Sequence, residues 1–258
     1  MAGGRSHSHH LLYRHGDTVV HRLPAQCKLV AVLAYVLIVV STPATHFWAF
    51  AAYACLLAGV AIVSQVPFRV VARRMVVELP FVAFAVLLQF VSHGEETSIL
   101  GVTVSESGLL DAWNLLAKAT LGVVASILLA ATTEPRTLLL GIERLRMPQL
   151  MVQIMQFMFR YADVIGSEMH RMKIARESRA FQARDVRQLR VLSQSAGALF
   201  IRSYERGERV HLAMLSRGYD GSMPRIHEAR AGASSWAAVS LLPGLALTIA
   251  ATSWVVAR

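Results

Sequence analysis

The sequence predicts an all-α polytopic membrane protein with about five transmembrane helices and a large basic cytoplasmic helical region. Three observations carry that prediction. Of 258 residues, 55% are hydrophobic and only 16% are charged, against about 25% charged in an ordinary soluble domain. Apolar runs reach the roughly 20 residues that a helix needs to cross a bilayer. The Lys and Arg residues collect between those runs, as they do in cytoplasmic loops.

The first apolar stretch, Leu29 to Phe68, contains no Lys, Arg, Asp or Glu over 40 residues, enough for two crossings. Pro43 breaks it, so it reads as a helical hairpin over about 27–42 and 46–65. A third span covers about 75–92, with Glu78 near its start, and a fourth about 107–131. The fifth covers about 235–256, inside the uncharged stretch from Ala231 to Ala257. No small-residue cleavage site follows the first apolar run, so no cleaved signal peptide is expected. Cys27 and Cys55 lie in or beside apolar runs, with no metal-ligand spacing, and read as small core residues.

Orientation follows from the loops. Arg69, Arg73 and Arg74 lie between spans two and three, whereas His93 to Glu106 carries three glutamates and no Lys or Arg. The positive-inside rule puts the basic segments and the N-terminus in the cytoplasm and the acidic loop outside. The chain thus divides into a cytoplasmic tail (1–26), a four-span membrane domain (27–131), a cytoplasmic helical region (132–234) and a last transmembrane helix (235–258). Asp111 and Lys118 lie two turns apart on one face of the fourth span. They are either an intramembrane charge pair on a substrate path or an interfacial acid and a lysine that snorkels or faces the bundle.

The segment from Thr132 to Ser234 holds 17 of the 26 basic residues and 10 acidic ones. Apolar residues recur through it at helical spacing. One helix starts at Pro148 and runs toward Arg179, with Met151, Ile154, Met155, Met158, Ala162 and Ile165 along one side. A second runs from about Val186 to Arg217, its apolar side marked by Leu189, Leu192, Leu199, Val210 and Met214, with Gly218 suited to cap it. The run of Met147, Met151, Met155, Met158, Met169 and Met172 fits either an adaptable partner surface or core filling against the membrane spans.

Each helix ends in the same pattern. Ala175-Arg-Glu-Ser-Arg-Ala-Phe181 and Ala213-Met-Leu-Ser-Arg-Gly-Tyr219 both read Ala-x-x-Ser-Arg-small-aromatic, 38 residues apart. A cation is favoured at a helix C-terminus, and guanidinium is a rigid donor fork for carboxylates and carbonyls. An arginine in this position can cap its own helix, but two equivalent tips suggest two equivalent docking sites.

At these residues the sequence resembles the transmembrane T component of energy-coupling factor (ECF) transporters, in particular the cobalt-transport CbiQ subfamily. The most specific stretch is Arg202 to Gly221; supporting stretches are Ala175 to Phe181, Val20 to Lys28 and Leu109 to Asn114. The resemblance covers nearly the whole chain. It implies that Ser178-Arg179-Ala180 and Ser216-Arg217-Gly218 sit at the tips of crossed coupling helices, each docking on one of two ABC ATPase subunits. Position 180 departs from the family, where glycine is usual. The resemblance further implies a separate CbiM-like substrate-binding membrane subunit, a motion relayed from the ATPases to it, and cobalt, with nickel as the alternative. ATP hydrolysis would then belong to partner chains.

No phosphate-binding loop, zinc-protease motif or nucleophile elbow occurs in the sequence, so no catalytic role and no cofactor is expected. His7, His9 and His10 in the N-terminal tail are weak metal candidates, either a metal-collecting arm or incidental residues. Two readings of other classes remain: an integral membrane enzyme working through Asp111, and a nucleic-acid binder using the basic region. The second is disfavoured, because the region interleaves basic residues with acids and apolar stripes instead of grouping them on one face.

Overall fold

A computed structural model describes residues 16–91, 96–99, 102–179, 189–221 and 232–256. Among the described residues the architecture is all-α apart from one short hairpin. It falls into two compact units, one holding the described parts of 12–145 and 229–258, the other those of 146–228.

The larger unit begins with a single turn, α1 (Val19–Arg22), followed by α2 (Ala25–Ser41) and α3 (Phe47–Val63). Thr42 to His46, with Pro43, separate the hairpin's limbs, as the sequence required. The limbs are 17 residues each, about 26 Å at 1.5 Å per residue, just short of a hydrocarbon core of about 30 Å. After α3 the chain turns through Gln65 at φ 53°. The Val66 N–H reaches the Ala61 carbonyl there, and the Gln65 N–H reaches that of Ile62, the paired bonds of a left-handed helix stop.

The basic segment between spans two and three is itself helical: α4 (Phe68–Arg74), capped by Pro67 and anchored by buried Val71. A 3-10 turn (Met75–Glu78) leads into α5 (Leu79–Val91). The stretch expected as the third span is therefore helical throughout its described length, but its first turn is wound more tightly. The acidic loop contains two short antiparallel strands, β1 (Glu96–Ile99) and β2 (Val102–Ser105), with Glu96 opposite Ser105 and Ile99 opposite Val102. β-Branched residues on both sides of Leu100-Gly101 account for this hairpin.

Helix α6 (Glu106–Thr132) comes next, and α7 (Pro135–Arg144) follows. α7 falls within the stretch assigned to the cytoplasmic region, yet it packs on the start of α2. A Cβ on Gly141 would lie 2.8 Å from the Gln26 backbone nitrogen, so only glycine permits this approach. The last helix of the unit, α10 (Ala233–Val256), packs on α2 and α3. Leu110–Thr132 and Ala233–Val255 are each long and apolar enough to cross a membrane.

The core forms where α2, α3, α6 and α10 meet, around Tyr35, Val39, Tyr53, Leu57, Leu128 and Ala246. Its polar atoms are satisfied internally. The Tyr35 hydroxyl donates to the Tyr53 carbonyl at 3.2 Å, and the Tyr53 hydroxyl lies 3.0 Å from Thr42 Oγ1 and 3.4 Å from the Ala246 carbonyl. Away from water, such hydroxyls must find protein partners. Cys27 is buried as expected, in a separate small cluster with Ala31 and Val239, whereas Cys55 is on the exposed face of α3 and is not a core residue. Leu33, Leu37, Trp48, Ile62, Leu241, Leu245 and Trp254 also point outward, an apolar exterior suited to lipid.

The smaller unit contains α8 (Gln149–Glu177) and α9 (Leu189–Leu215). Pro148 is the N-cap of α8, one residue outside the helix instead of its first residue. Met151, Ile154, Met158, Ile165 and Met169 remain exposed along one stripe of α8.

Candidate docking site

The two helix tips have the same local geometry, and the repeated sequence explains why. In each, the serine three residues after alanine turns its hydroxyl back onto the helix: Ser178 Oγ donates to the Ala175 carbonyl and Ser216 Oγ to that of Ala213, both at 3.0 Å. The serine N–H closes the last regular turn, Ser178 to the Ile174 carbonyl at 2.9 Å and Ser216 to that of Leu212 at 3.0 Å. The arginine N–H then closes a tighter turn, Arg179 to Arg176 O at 3.1 Å and Arg217 to Met214 O at 3.0 Å. With its own backbone and the serine satisfying the helix end, the guanidinium is not needed as a cap. Both arginines are exposed, and neither takes part in an ion pair among the described residues.

After Arg217 the chain reverses. Gly218 has φ 83°. The Tyr219 N–H bonds to the Met214 carbonyl and the Gly218 N–H to that of Leu215, each at 3.0 Å. This is the double bond pattern of a glycine-terminated helix, as the sequence predicted. Ala180, the last residue of the first signature, lies outside the described residues, as do His7, His9 and His10.

Two sets of contacts, neither foreseen from the sequence, hold α8 and α9 together. Glu168 accepts from Arg202 at 3.4 Å and from Arg206 at 3.2 Å, with only 14% of its side chain exposed. At the other end of α8, buried Gln153 donates to the Gly221 carbonyl at 2.9 Å and accepts from the Tyr219 hydroxyl at 2.7 Å. Residue numbers rise along one helix as they fall along the other, so the pair runs antiparallel. One tip therefore sits at the end of α8 and the other beside its beginning. From Gln153 to Ser178 is about 38 Å at 1.5 Å per residue. Arg202 and Arg206, four apart and so on one helix face, were the available signal for this clasp.

Asp111 and Lys118 are not brought together. Asp111 is exposed, and the Lys118 ammonium donates to the Val40 carbonyl at the end of α2, 2.8 Å away. The lysine therefore faces the bundle. Lys28, at the start of α2, is buried at 6% exposure. Its three protons reach the Thr132 carbonyl (3.0 Å), Thr133 Oγ1 (3.2 Å) and the His21 carbonyl (3.3 Å). Glu78, also buried, accepts from the Thr120 hydroxyl. Among the described residues no three His, Cys, Asp or Glu side chains gather as a metal site.

Fold and site together define an all-α membrane protein carrying a helix pair with two outward-facing arginine tips. The CbiQ family, described as cobalt transport protein, matches residues 16–228, and the chain belongs to that family. An uncharacterized protein of Methanocaldococcus jannaschii is 39% identical over 104 residues, 40% of this chain and 39% of its own length. A Methanocorpusculum labreanum protein named as a fused cobalt transport protein, CbiMQ, is 26% identical over 79% of this chain and 35% of its own length. The energy-coupling factor transporter transmembrane protein EcfT of Bacillus selenitireducens is 28% identical over 83% of this chain and 84% of its own. The chain thus spans well under half the length of the first two of these relatives.

Proposed function

We propose that this chain is the transmembrane coupling subunit of an ECF-type importer, with cobalt as the cargo. The observation that carries the reading is the pair of matched arginine tips at opposite ends of an antiparallel helix pair. A body that must follow two separate moving subunits needs two equivalent anchors set far apart, joined by a stiff link. Helices α8 and α9, clasped at Glu168, supply the link, and Arg179 and Arg217 supply the anchors. The EcfT name supports ATPase partners, since an energy-coupling factor needs a source of energy that this sequence does not itself carry.

In this reading each of Ser178-Arg179-Ala180 and Ser216-Arg217-Gly218 docks on one of two ABC ATPase subunits. When ATP closes the ATPase dimer, the tips approach one another. The motion turns α8 against α9 about the Glu168 clasp and passes into the membrane helices. A substrate-binding membrane subunit rests on those helices and releases its metal as they shift; the relative named CbiMQ supports a CbiM-like identity for it. The spans cross five times from a cytoplasmic N-terminus, with α8 and α9 in the cytoplasm. Asp111 and Lys118 have no transport role here, because Lys118 is committed to the end of α2.

The test is reconstitution. Purified chain, ATPases and substrate-binding subunit are placed in proteoliposomes, and uptake of cobalt and of nickel is followed with and without ATP. The reading expects uptake only from the full set, with cobalt preferred, and no ATP hydrolysis by this chain alone. ATP hydrolysis by the isolated chain, or uptake that proceeds without it, would overturn the reading. Preferred nickel uptake would overturn the cargo but not the coupling role.

A further inference from the structure

The second tip stands at the edge of a cleft. Phe157, Arg160 and Tyr161 of α8, Met214 of α9, and Arg217 and Tyr219 of the tip line an open depression of about 710 Å³. Its floor is aromatic: the Phe157 and Tyr161 rings stack 6.3 Å apart at 20°. The Arg160 guanidinium carbon lies 6.0 Å from the centre of the Tyr161 ring. Its far wall is fixed, because Gln153 holds both the Tyr219 hydroxyl and the Gly221 carbonyl, and His211 packs edge-on against Tyr219 at 6.5 Å. Asp220 also lines the cleft and is itself engaged within the protein. Arg160 and Arg217 are exposed and enter no ion pair among the described residues.

We propose that this cleft is a second contact of the same docking site, taking an acidic surface segment of the ATPase subunit that binds Arg217. A carboxylate of that segment is held between the Arg160 and Arg217 guanidiniums, and an apolar side chain beside it lies on the Phe157–Tyr161 floor. The inference rests on the docking reading above and adds α8 to it. The chemistry fits: two guanidinium forks grip a carboxylate with directional bonds. Stacked aromatics under an arginine form the kind of anchor pocket that concentrates binding energy at protein interfaces. A lone exposed arginine at a helix tip would give only a point contact. The preorganised wall at Tyr219 lowers the ordering cost of binding.

The experiment measures the affinity of the purified ATPase for the full-length chain in detergent. Wild type is compared with Arg160→Glu, Arg160→Gln, Phe157→Ala and Arg217→Glu, with Arg179→Glu as the variant of the other tip. Arg160 is exposed, so circular dichroism should show unchanged helix content. The expected result is binding weakened about tenfold or more by Arg160→Glu and several-fold by Arg160→Gln and Phe157→Ala, with the differences compressed at high salt. If both Arg160 variants bind like wild type while Arg217→Glu binds poorly, the cleft proposal fails and the docking reading survives. If Arg217→Glu and Arg160→Glu both bind like wild type, both readings fall.

Discussion

Lys28 and Lys118 each cap the helix on which the other stands or ends. Lys28, at the start of α2, donates to the carbonyl of Thr132, the last residue of α6, at 3.0 Å. Lys118, on α6, donates to the carbonyl of Val40 in the last turn of α2 at 2.8 Å. The two helices run antiparallel, so each lysine meets the negative end of its neighbour's dipole. Neither charge needs a carboxylate, since helix C-terminal carbonyls are in any case short of partners.

Removing these caps should loosen the bundle unequally. Lys28→Met leaves buried carbonyls without donors, at a cost of about 1–3 kcal/mol. Lys118, only half-buried with one acceptor, should cost about 1 kcal/mol or less on the same scale. Thermal unfolding in detergent checks the order; a larger drop for Lys118→Met than for Lys28→Met contradicts this description.

The close approach of α7 to α2 gives a second expectation. Alanine normally stabilises a helix interior by about 1 kcal/mol over glycine. At Gly141 the new methyl would meet the Gln26 backbone at 2.8 Å, and overpacking of this kind costs about 1–3 kcal/mol. Gly207, in the middle of α9, has nothing within 4 Å of its Cβ position. Gly141→Ala should therefore lower the melting temperature while Gly207→Ala leaves it unchanged or raises it.

The apolar helices of the larger unit were legible because long uncharged runs stand out and Pro43 cannot continue a helix; their observed bounds differ from the expected ones by a few residues. Gly218 was legible as a cap because a left-handed helix stop favours glycine. The equivalence of the tips was legible in the repeated Ala-x-x-Ser-Arg, since the alanine carbonyl and the serine hydroxyl are local partners. What joins distant segments was not. Lys28 and Thr132 are 104 residues apart, and nothing in either neighbourhood announces the other. Glu168 is one of three acids on α8, and no local feature sets it apart from Asp163 and Glu177. The hairpin in the acidic loop is not legible in the sequence, because its two strands are four residues each, too short for a period-of-two pattern to stand out.

Gly218→Ala isolates backbone conformation from contact. Its Cβ would touch nothing within 4 Å, but φ 83° is a conformation that costs an L-residue about 1–2 kcal/mol. The tip should fray or change path, with ATPase affinity falling several-fold while overall helix content holds. Gly207→Ala, with an unstrained φ, is the control and should bind normally.

Glu168→Gln tests the clasp. Ion pairs with exposed arginines contribute little to stability, about 0–1 kcal/mol, so unfolding should barely change. Coupling should suffer more, because the amide no longer holds Arg202 and Arg206 together. The expected signature in proteoliposomes is ATP hydrolysis near wild type with metal uptake per ATP reduced. Equal loss of both activities would mean that Glu168 serves assembly and not transmission.

The most direct measurement is co-purification of the ATPases with this chain from mild detergent, comparing wild type, Arg179→Glu, Arg217→Glu and the double variant. The account predicts two ATPase copies with wild type, weakened capture with each single variant, and none with the double variant, all four chains being equally inserted in the membrane. Full capture by the double variant would contradict the claim that the two arginine tips are the docking anchors.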